Sequence, residues 1–504
     1  MQNCVLVAEH GNILIEWRRV LLDNDIDCQS DVPLAPFVSV WTRFILLLFS
    51  GLAGYTARAR IPDTREKTFS PPLRLKKTIT LEEDTMVFGM TRFTILLSIY
   101  LLLQCTTGSA KTIFVLGGNG LLGSAFMERV IEKRDNLVVV NRGNWYWDTS
   151  ELILPFVTPI QCNRRNSLGK CPDLAFLLSG EGKDIVFDAV VDFSSFAGEN
   201  VADILDVLNE RIKRYIFISS DSTYEVCMKN HTKPTVESDS VRPVPETERI
   251  IYSKKDTYGH RKLEGEEVLE AQKDGGVPFV AMRLPDVIGP RDNIYRWWMY
   301  QLWIKLSDYL DRPVSVPAEL TDRPLSFVYS YDVADMIVKL LDADLDVFNQ
   351  AYNFAFEENP TLTELLKAMA VLLDRPDIQI DVNKNADMTY LWPSAPSQQQ
   401  YDVPELSALD ENWSSSIYMF PSVSLGAIDT SKAKLVLGWK PTLFQEAVRK
   451  SIMFFEEAMI VDKFEEERSE IKRALLLHFS KDHARTLAGL DIVYPKSRNV
   501  HQEL

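Results

Sequence analysis

A short apolar run followed by a glycine-rich turn constrains this chain more than any other feature. The run 112–116 is β-branched and apolar, as in a buried parallel strand, and residues 124–133 have the pattern of a helix. Between them, from Gly117 to Gly123, the sequence is Gly-Gly-Asn-Gly-Leu-Leu-Gly. Such glycines permit a tight turn, let a pyrophosphate approach the backbone and the helix N-terminus, and allow close helix packing. The segment predicts a dinucleotide site; the alternative is a tight turn without a ligand.

Further apolar runs alternate with helical patterns over the following 160 or so residues. The predicted strands are 136–141, 156–160, 185–191, 214–219 and 278–284, and the predicted helices are 199–210 and 259–270. Strands that alternate with helices form a parallel sheet with helices on both faces. The sequence therefore predicts an α/β fold with a doubly wound sheet of the Rossmann type.

The end of the second predicted strand bears on the choice of cofactor. A carboxylate at this position would accept hydrogen bonds from the ribose hydroxyls of NAD. Here the chain has Asn141 and Arg142, and the arginine offers a planar cation suited to a 2′-phosphate. We therefore expect NADP in preference to NAD. An exposed arginine in a turn is the alternative, with Asn141 holding an unphosphorylated ribose.

Tyr258 and Lys262 lie one helical turn apart in the last predicted helix of this region. Free tyrosine has a pKa of about 10, so a nearby cation is needed to favour the phenolate if the side chain is to act as a base. A Tyr-x-x-x-Lys pair alone is more often a solvated helix face. Its position downstream of the glycine turn predicts a nicotinamide-dependent enzyme.

Composition indicates a globular protein and disfavours some partners. The chain has 504 residues, 46% of them hydrophobic, which allows a large core and two or three domains. Its formal net charge of −16 disfavours nucleic acid and anionic membrane surfaces as partners. We expect a small-molecule substrate, no metal site and no stable membrane span in the mature chain, and a homodimer stays open.

Residues 90–110 have the layout of a secretory signal peptide. Arg92 precedes an apolar core from Phe93 to Leu103, and a small-residue stretch ends at Ala110, directly before the first strand. The C-terminal tetrapeptide 501–504, His-Gln-Glu-Leu, resembles signals that return soluble proteins to the endoplasmic reticulum. We expect the lumen of the endoplasmic reticulum, with the cytoplasm as the alternative.

Other residues are compatible with the lumen without deciding the location. Asn230 and Asn412 begin glycosylation triplets, which also arise by chance. Cys162 and Cys171 would form a disulfide in an oxidising compartment, or would be buried free thiols.

The sequence divides into five parts. Beyond residue 290 the pattern becomes irregular and rich in aromatic residues, which we expect to form a core and not a ligand-binding box. The predicted parts are an N-terminal extension, expected to be disordered, at 1–89; the signal-like segment at 90–110; a nucleotide-binding domain at 111–290; a substrate-binding region at 291–460 that partly returns to the sheet at about 325–357; and a C-terminal helix and tail at 461–504.

Several ordered motifs resemble the extended and atypical short-chain dehydrogenase/reductase superfamily, the NAD-dependent epimerase/dehydratase-like proteins. The matching segments are 115–123, 217–224, the Tyr258 and Lys262 pair, 283–290, 327–334, 429–433 and 437–441. The resemblance implies that Tyr258 is the general acid/base, that Lys262 holds the ribose and lowers the tyrosine pKa, and that Ser220 orients the reacting oxygen. The predicted cofactor-binding residues are Gly117, Gly120, Leu121, Leu122, Gly123, Asn141, Arg142, Asn163, Arg164 and Lys262.

Departures from the family pattern narrow the expected reaction. The dehydratases that this sequence resembles have an Asp-Glu pair after the serine. This chain has Asp221 and Ser222 at these positions, so we expect an epimerase or a reductase and not a dehydratase. Glu225 stands where a glycine is common, and Asn163 where an aspartate often meets the adenine. Arg323 resembles an arginine that contacts a substrate phosphate, with a structural ion pair as the alternative.

The expected function is an NAD(P)-dependent oxidoreductase or epimerase. Its substrate would offer a hydroxyl or carbonyl group on a sugar nucleotide or another small polar molecule. The alternative is a non-catalytic NADP-binding regulatory or scaffold protein, and RNA binding is disfavoured by the acidic charge.

Overall fold

The computed structural model describes residues 110–164, 167–180, 182–228, 233–272, 275–392, 406 and 417–495. Four predicted features lie outside this part of the chain: the N-terminal extension, the signal-like segment up to residue 109, the glycosylation triplets at Asn230 and Asn412, and the C-terminal tetrapeptide. No helix in the described ranges is long and apolar enough to cross a membrane.

Eleven strands are found in the described residues. They are β1 (Thr112–Leu116), β2 (Asn136–Asn141), β3 (Thr158–Gln161), β4 (Ala189–Asp192), β5 (Tyr215–Ser220), β6 (Phe279–Leu284), β7 (Asp286–Ile288), β8 (Ser315–Pro317), β9 (Phe327–Tyr329), β10 (Gln350–Asn353) and β11 (Asp381–Asn383). Seven of them form one sheet in the order β10-β6-β5-β4-β1-β2-β3, and every neighbouring pair is parallel. The predicted doubly wound parallel sheet is confirmed.

Thirteen helices are found in the same part of the chain. They are α1 (Leu121–Lys133), α2 (Thr149–Leu152), α3 (Pro172–Ser179), α4 (Gly198–Leu208), α5 (Glu246–Lys255), α6 (Thr257–Glu270), α7 (Arg296–Lys305), α8 (Ser330–Leu340), α9 (Leu362–Leu372), α10 (Ser431–Leu437), α11 (Phe444–Ala458), α12 (Glu465–Phe479) and α13 (His483–Val493). Two of these helices, α12 and α13, lie where one C-terminal helix was predicted.

The helices cover both faces of the sheet because side chains of each central strand alternate between them. In β1, Ile113 and Val115 pack in one buried cluster with residues of α1 and α8. Phe114 and Leu116 point to the other face and pack with residues of α3 and α4. The carboxyl ends of β1, β4 and β5 therefore meet at one edge, where ligands bind in such sheets.

The region after β6 has its own aromatic core. Trp297, Trp298, Tyr300 and Trp303 of α7 are fully buried and pack with residues of α9, α11 and α12. This confirms that these aromatic residues form a core. Strand β10 leaves this region and joins the edge of the main sheet beside β6.

Candidate active site

The glycine turn lies at the carboxyl end of β1. Gly117 and Gly118 have φ angles of +83° and +84°, a conformation that favours glycine. A Cβ on Gly123 would lie 2.1 Å from the Cα of Gly118, so only glycine lets α1 approach the turn. Gly120 precedes α1 and makes no side-chain cap, which leaves the N–H groups of the first turn, at Leu121 and Leu122, available to an anion.

Asn141 at the end of β2 has an unused hydrogen-bond donor. Its Oδ1 accepts a hydrogen bond from the N–H of Gly143 at 2.7 Å, which identifies the other amide atom as Nδ2. That Nδ2 is buried and has no hydrogen-bond partner in the described ranges. Arg142 beside it is exposed. A buried, unpaired N–H fits a ligand that brings an acceptor oxygen, as the ribose or 2′-phosphate of a dinucleotide does.

A disulfide joins Cys162 and Cys171 after β3, with a Cα–Cα distance of 5.6 Å. Asn163, inside the loop that the disulfide closes, is exposed. Arg164 reaches the end of β4, where it donates to Ser195 Oγ at 2.9 Å and pairs with Asp192 at 3.4 Å.

Asp192 is fully buried beneath this arginine. Burial raises its pKa, but the Arg164 charge and hydrogen bonds from Ser195 and Tyr215 outweigh burial and hold that pKa below its usual value. The predicted residue Arg164 is therefore placed at the end of β4 by a carboxylate.

Helix α6 carries the predicted catalytic pair. It begins at Thr257 because Asp256 caps it, accepting a hydrogen bond from the N–H of Gly259 at 2.8 Å. A Cβ at Gly259 would lie 2.0 Å from the carbonyl oxygen of Ser222, so the helix packs directly on the turn after β5. This close packing places the N-terminal end of α6, which carries Tyr258, against the turn that follows Ser220.

Lys262 is 3% exposed, and its ammonium points into the sheet edge. It donates hydrogen bonds of 2.8 Å to the carbonyl oxygens of Ser195 and Ile218. Burial lowers its pKa to about 8, although the charge of Asp192 acts in the opposite direction. Its Nζ lies 5.8 Å from the centre of the Tyr258 ring.

The pKa of Tyr258 differs from the sequence-based expectation. Although 44% of the residue is exposed, desolvation of the hydroxyl end raises this pKa to about 12, with Asp221 and Asp256 acting in the same direction. Arg296 and the hydrogen bond with Ser220 lower it. The Lys262 ammonium lies 5.8 Å from the centre of the Tyr258 ring and donates to backbone carbonyls. That it lowers the tyrosine pKa stays a prediction.

Asp221 is a buried carboxyl group next to Ser220. Ser220 Oγ accepts the N–H of Ser222 at 3.1 Å and lies 3.3 Å from Asp221 Oδ1. Burial, with the negative charges of Asp286 and Glu225, raises the Asp221 pKa well above its usual value. These surroundings favour the neutral carboxylic acid, which can donate a hydrogen bond.

Arg323 interacts with other protein groups. It donates to the carbonyl oxygen of Ser424 at 3.0 Å and pairs with Glu319 at 3.7 Å. These are the contacts of a structural ion pair, the alternative to a contact with a substrate phosphate. The side chain of Arg323 is partly exposed.

Asp286 and Arg296 are not among the predicted site residues, and Glu225 is predicted only as a departure from the family glycine. Arg296 and Asp286 form a buried ion pair of 2.8 Å. Their positions in the sequence could have pointed to them, because Asp286 lies inside the family-like segment 283–290 and Arg296 follows it closely.

Comparison with known proteins identifies the domain that contains this site. Residues 113–355 match the model of the NAD dependent epimerase/dehydratase family. No curated protein sequence matches the chain.

Solved structures resemble it at low identity. UDP-glucose 4-epimerase from Thermotoga maritima is 16% identical, with a TM-score of 0.49, over 69% of this chain and 99% of that one. UDP-glucuronic acid 4-epimerase from Bacillus cereus is 16% identical, with a TM-score of 0.48, over 69% and 99%. dTDP-glucose 4,6-dehydratase from Bacillus anthracis is 14% identical, with a TM-score of 0.47, over 69% and 97%. Similarity at this level says nothing about the substrate.

Proposed function

Because residues 113–355 form a domain of the NAD-dependent epimerase/dehydratase family, and the chain is an epimerase/dehydratase-like enzyme, we propose that it is an NADP-dependent epimerase or oxidoreductase. Its substrate would carry a hydroxyl or carbonyl group on a sugar nucleotide or another small polar molecule. The observation that carries this proposal is that the helix with Tyr258 and Lys262 packs on the turn after Ser220, at the sheet edge that also holds the glycine turn.

The three side chains have separate roles in this proposal. Tyr258 transfers the proton of the substrate hydroxyl, and Ser220 hydrogen-bonds the same oxygen and stabilises negative charge that develops on it. Lys262 would hold the ribose next to the nicotinamide. When bound, the nicotinamide would accept or return a hydride.

The residues at the turn after β5 favour epimerisation or oxidoreduction over loss of water. Elimination requires a base for a second proton, and Ser222 stands where dehydratases have a glutamate. Asp221, held towards its neutral form, is suited to donate a hydrogen bond and is a poor base.

Two groups at the end of β2 support a preference for NADP. The buried Nδ2 of Asn141 is a donor without a partner, and the exposed Arg142 adds a cation beside it. A 2′-phosphate offers acceptor oxygens and negative charge, whereas a ribose hydroxyl bound by NAD enzymes usually donates to a carboxylate.

We also propose that the enzyme acts in the lumen of the endoplasmic reticulum. The disulfide between Cys162 and Cys171 supports an oxidising compartment, because such bonds are rare in the cytosol. Determining the N-terminal residue of the protein isolated from cells tests this, and a mature chain starting near Lys111 is the expected result.

The function is tested by calorimetric titration of the protein with NADP and NAD, followed by turnover assays with UDP-sugars and small carbonyl compounds. We expect tighter binding of NADP, and Tyr258→Phe should lose turnover by at least 100-fold while keeping cofactor affinity. Equal turnover by this variant would refute the role of Tyr258.

One observation favours a second candidate, a non-catalytic NADP-binding regulator. With a pKa of about 12, Tyr258 has almost no phenolate at neutral pH. Tight NADP binding without turnover of any tested substrate would select this alternative.

A further inference from the structure

The chain after β2 runs from the cofactor edge of the sheet into the aromatic core of the region after β6. We call residues 142–148 the β2 loop. The loop starts beside the glycine turn, where the N–H of Gly117 donates to a carbonyl oxygen of β2 at 2.9 Å. Asn119 of the glycine turn also donates a side-chain hydrogen bond to the carbonyl oxygen of Asn144. Arg142, the predicted contact of the 2′-phosphate, therefore belongs to a loop that is attached to the glycine turn.

The other end of the β2 loop is buried in the aromatic core. Trp147 is 6% exposed and packs edge to face on Phe454 and Phe455 of α11, with ring centres 5.2 and 5.6 Å away. Its φ angle is +58°, a left-handed conformation that is rare for a bulky residue. A strained backbone of this kind persists only where the surrounding contacts hold it. The burial of Trp147 therefore fixes the path of the loop.

Helix α12 binds the backbone at this tryptophan. Glu467 of α12 accepts a hydrogen bond from the N–H of Trp147 at 2.9 Å. Lys463, just before the helix, lies 3.6 Å from Asp148. The family match ends at residue 355, so both contacts come from a part of the chain that follows the family domain.

A buried ion pair fixes the next residue of the β2 loop. Asp148 is 7% exposed and pairs with Arg291 at 2.5 Å. Arg291 also lies 2.9 Å from Glu128 of α1, the helix that begins at the glycine turn. The buried end of the loop is therefore tied to α1 as well as to α12.

We propose that Glu467 is a positioning residue for the cofactor: by fixing Trp147, it holds the β2 loop so that Arg142 meets the 2′-phosphate of NADP. A loop that is fixed at both ends has less conformational freedom to lose when the phosphate binds. Because the 2′-phosphate distinguishes NADP from NAD, the C-terminal helix α12 contributes to the choice between the two cofactors. This inference rests on the proposed preference for NADP.

The test measures the Kd of NADP and the Kd of NAD by calorimetry for the wild type and five variants. Glu467→Ala removes the acceptor of the Trp147 N–H, whereas Glu467→Gln keeps an acceptor oxygen. Glu466→Ala is the matched control, because it removes the same charge from the adjacent, exposed position of α12. Arg142→Ala removes the predicted phosphate contact, and the double variant with Glu467→Ala shows whether the two residues act together.

We expect Glu467→Ala to raise the Kd of NADP about fivefold, as for the loss of one hydrogen bond, with the Kd of NAD within about twofold of wild type. Glu467→Gln and Glu466→Ala should bind both cofactors like the wild type. The double variant should bind NADP no more weakly than Arg142→Ala, because Glu467 acts through Arg142. A merely structural role of Glu467 would raise both Kd values alike or neither, and either result would overturn the inference.

Glu467→Asp replaces Glu467→Ala if the alanine variant does not fold. The shorter side chain keeps the charge but draws the acceptor oxygen away from the Trp147 N–H, so the Kd of NADP should rise about threefold. An unchanged Kd of NADP would overturn the inference. If the wild type binds NAD as tightly as NADP, the proposed cofactor preference fails, and the inference fails with it. If the wild type prefers NADP and the Glu467 variants keep that preference in full, only the inference fails.

Discussion

Lys262→Met offers a direct test of the electrostatics of the site. The lysine is 3% exposed, and burial lowers its pKa from 10.5 to about 8. In the unfolded chain it would titrate near its ordinary value, so between pH 8 and 10.5 the unfolded state binds more protons than the folded state. The folded protein therefore loses stability as the pH falls through this window.

The size of the effect follows from the two pKa values. Their difference corresponds to about 3 kcal/mol, at about 1.4 kcal/mol for each pH unit. Integration over pH 7 to 9.5 gives a gain of about 2 kcal/mol in the wild type, because part of the window lies above 9.5. Methionine carries no charge, so Lys262→Met lacks this gain. Its loss of hydrogen bonds to the carbonyls of Ser195 and Ile218 changes stability at every pH alike.

The assay is urea unfolding of both proteins at pH 7 and pH 9.5. The difference in free energy of unfolding, wild type minus variant, should rise by about 2 kcal/mol between the two pH values. Lys213→Met, at a lysine whose side chain is 58% exposed, controls for the removal of a surface charge. Parallel pH dependence of the wild type and Lys262→Met would refute the reasoning.

Three further predictions concern the fold, the tyrosine and the turn. Glu266→Gln should lower the free energy of unfolding by about 3–5 kcal/mol in urea titrations, because the buried charge of Arg283 would lose its partner. Arg283 lies 2.6 Å from Glu266 and its side chain is 2% exposed. A loss below about 1 kcal/mol would contradict this. Arg296→Gln should raise the Tyr258 pKa further, because it removes a positive charge that lowers this pKa. The rising limb of the pH–rate profile should then move to higher pH, and turnover at pH 7.5 should fall about tenfold for each unit of pKa. An unshifted limb would show that this charge does not act on the tyrosine. Gly123→Ala should abolish NADP binding measured by calorimetry, because its Cβ would collide with the Gly118 backbone, and retained affinity would mean that the turn can relax.

Much of the fold could be predicted because its signals are local. The alternation of β-branched runs with helical patterns was enough for the parallel sheet, although several boundaries moved: the helix predicted from residue 124 begins at Leu121, and the strand predicted at 185–191 is Ala189–Asp192. The first shift arises because Gly123 packs on Gly118 from within the first turn of α1, a contact that an apolar pattern does not encode.

The candidate catalytic residues were recognisable as a motif, but their electrostatic state was not. The spacing of Tyr258 and Lys262 placed both on one helix, and the structure agrees. The spacing does not show that the lysine ammonium binds the carbonyls of Ser195 and Ile218, which come from other parts of the chain. The charges around Tyr258 depend on such distances in three dimensions.

The sequence by itself determined the order of elements, the glycine turn and the candidate reacting side chains, because each depends on residues within a few positions of one another. Only the tertiary structure decided how these side chains are charged and what surrounds them. Asp286, Arg296 and Ser422 are separated by up to 136 residues, and they meet because β7, α7 and the chain around Ser422 pack together. Burial and charge at a site depend on such distant contacts, and a linear pattern does not record them.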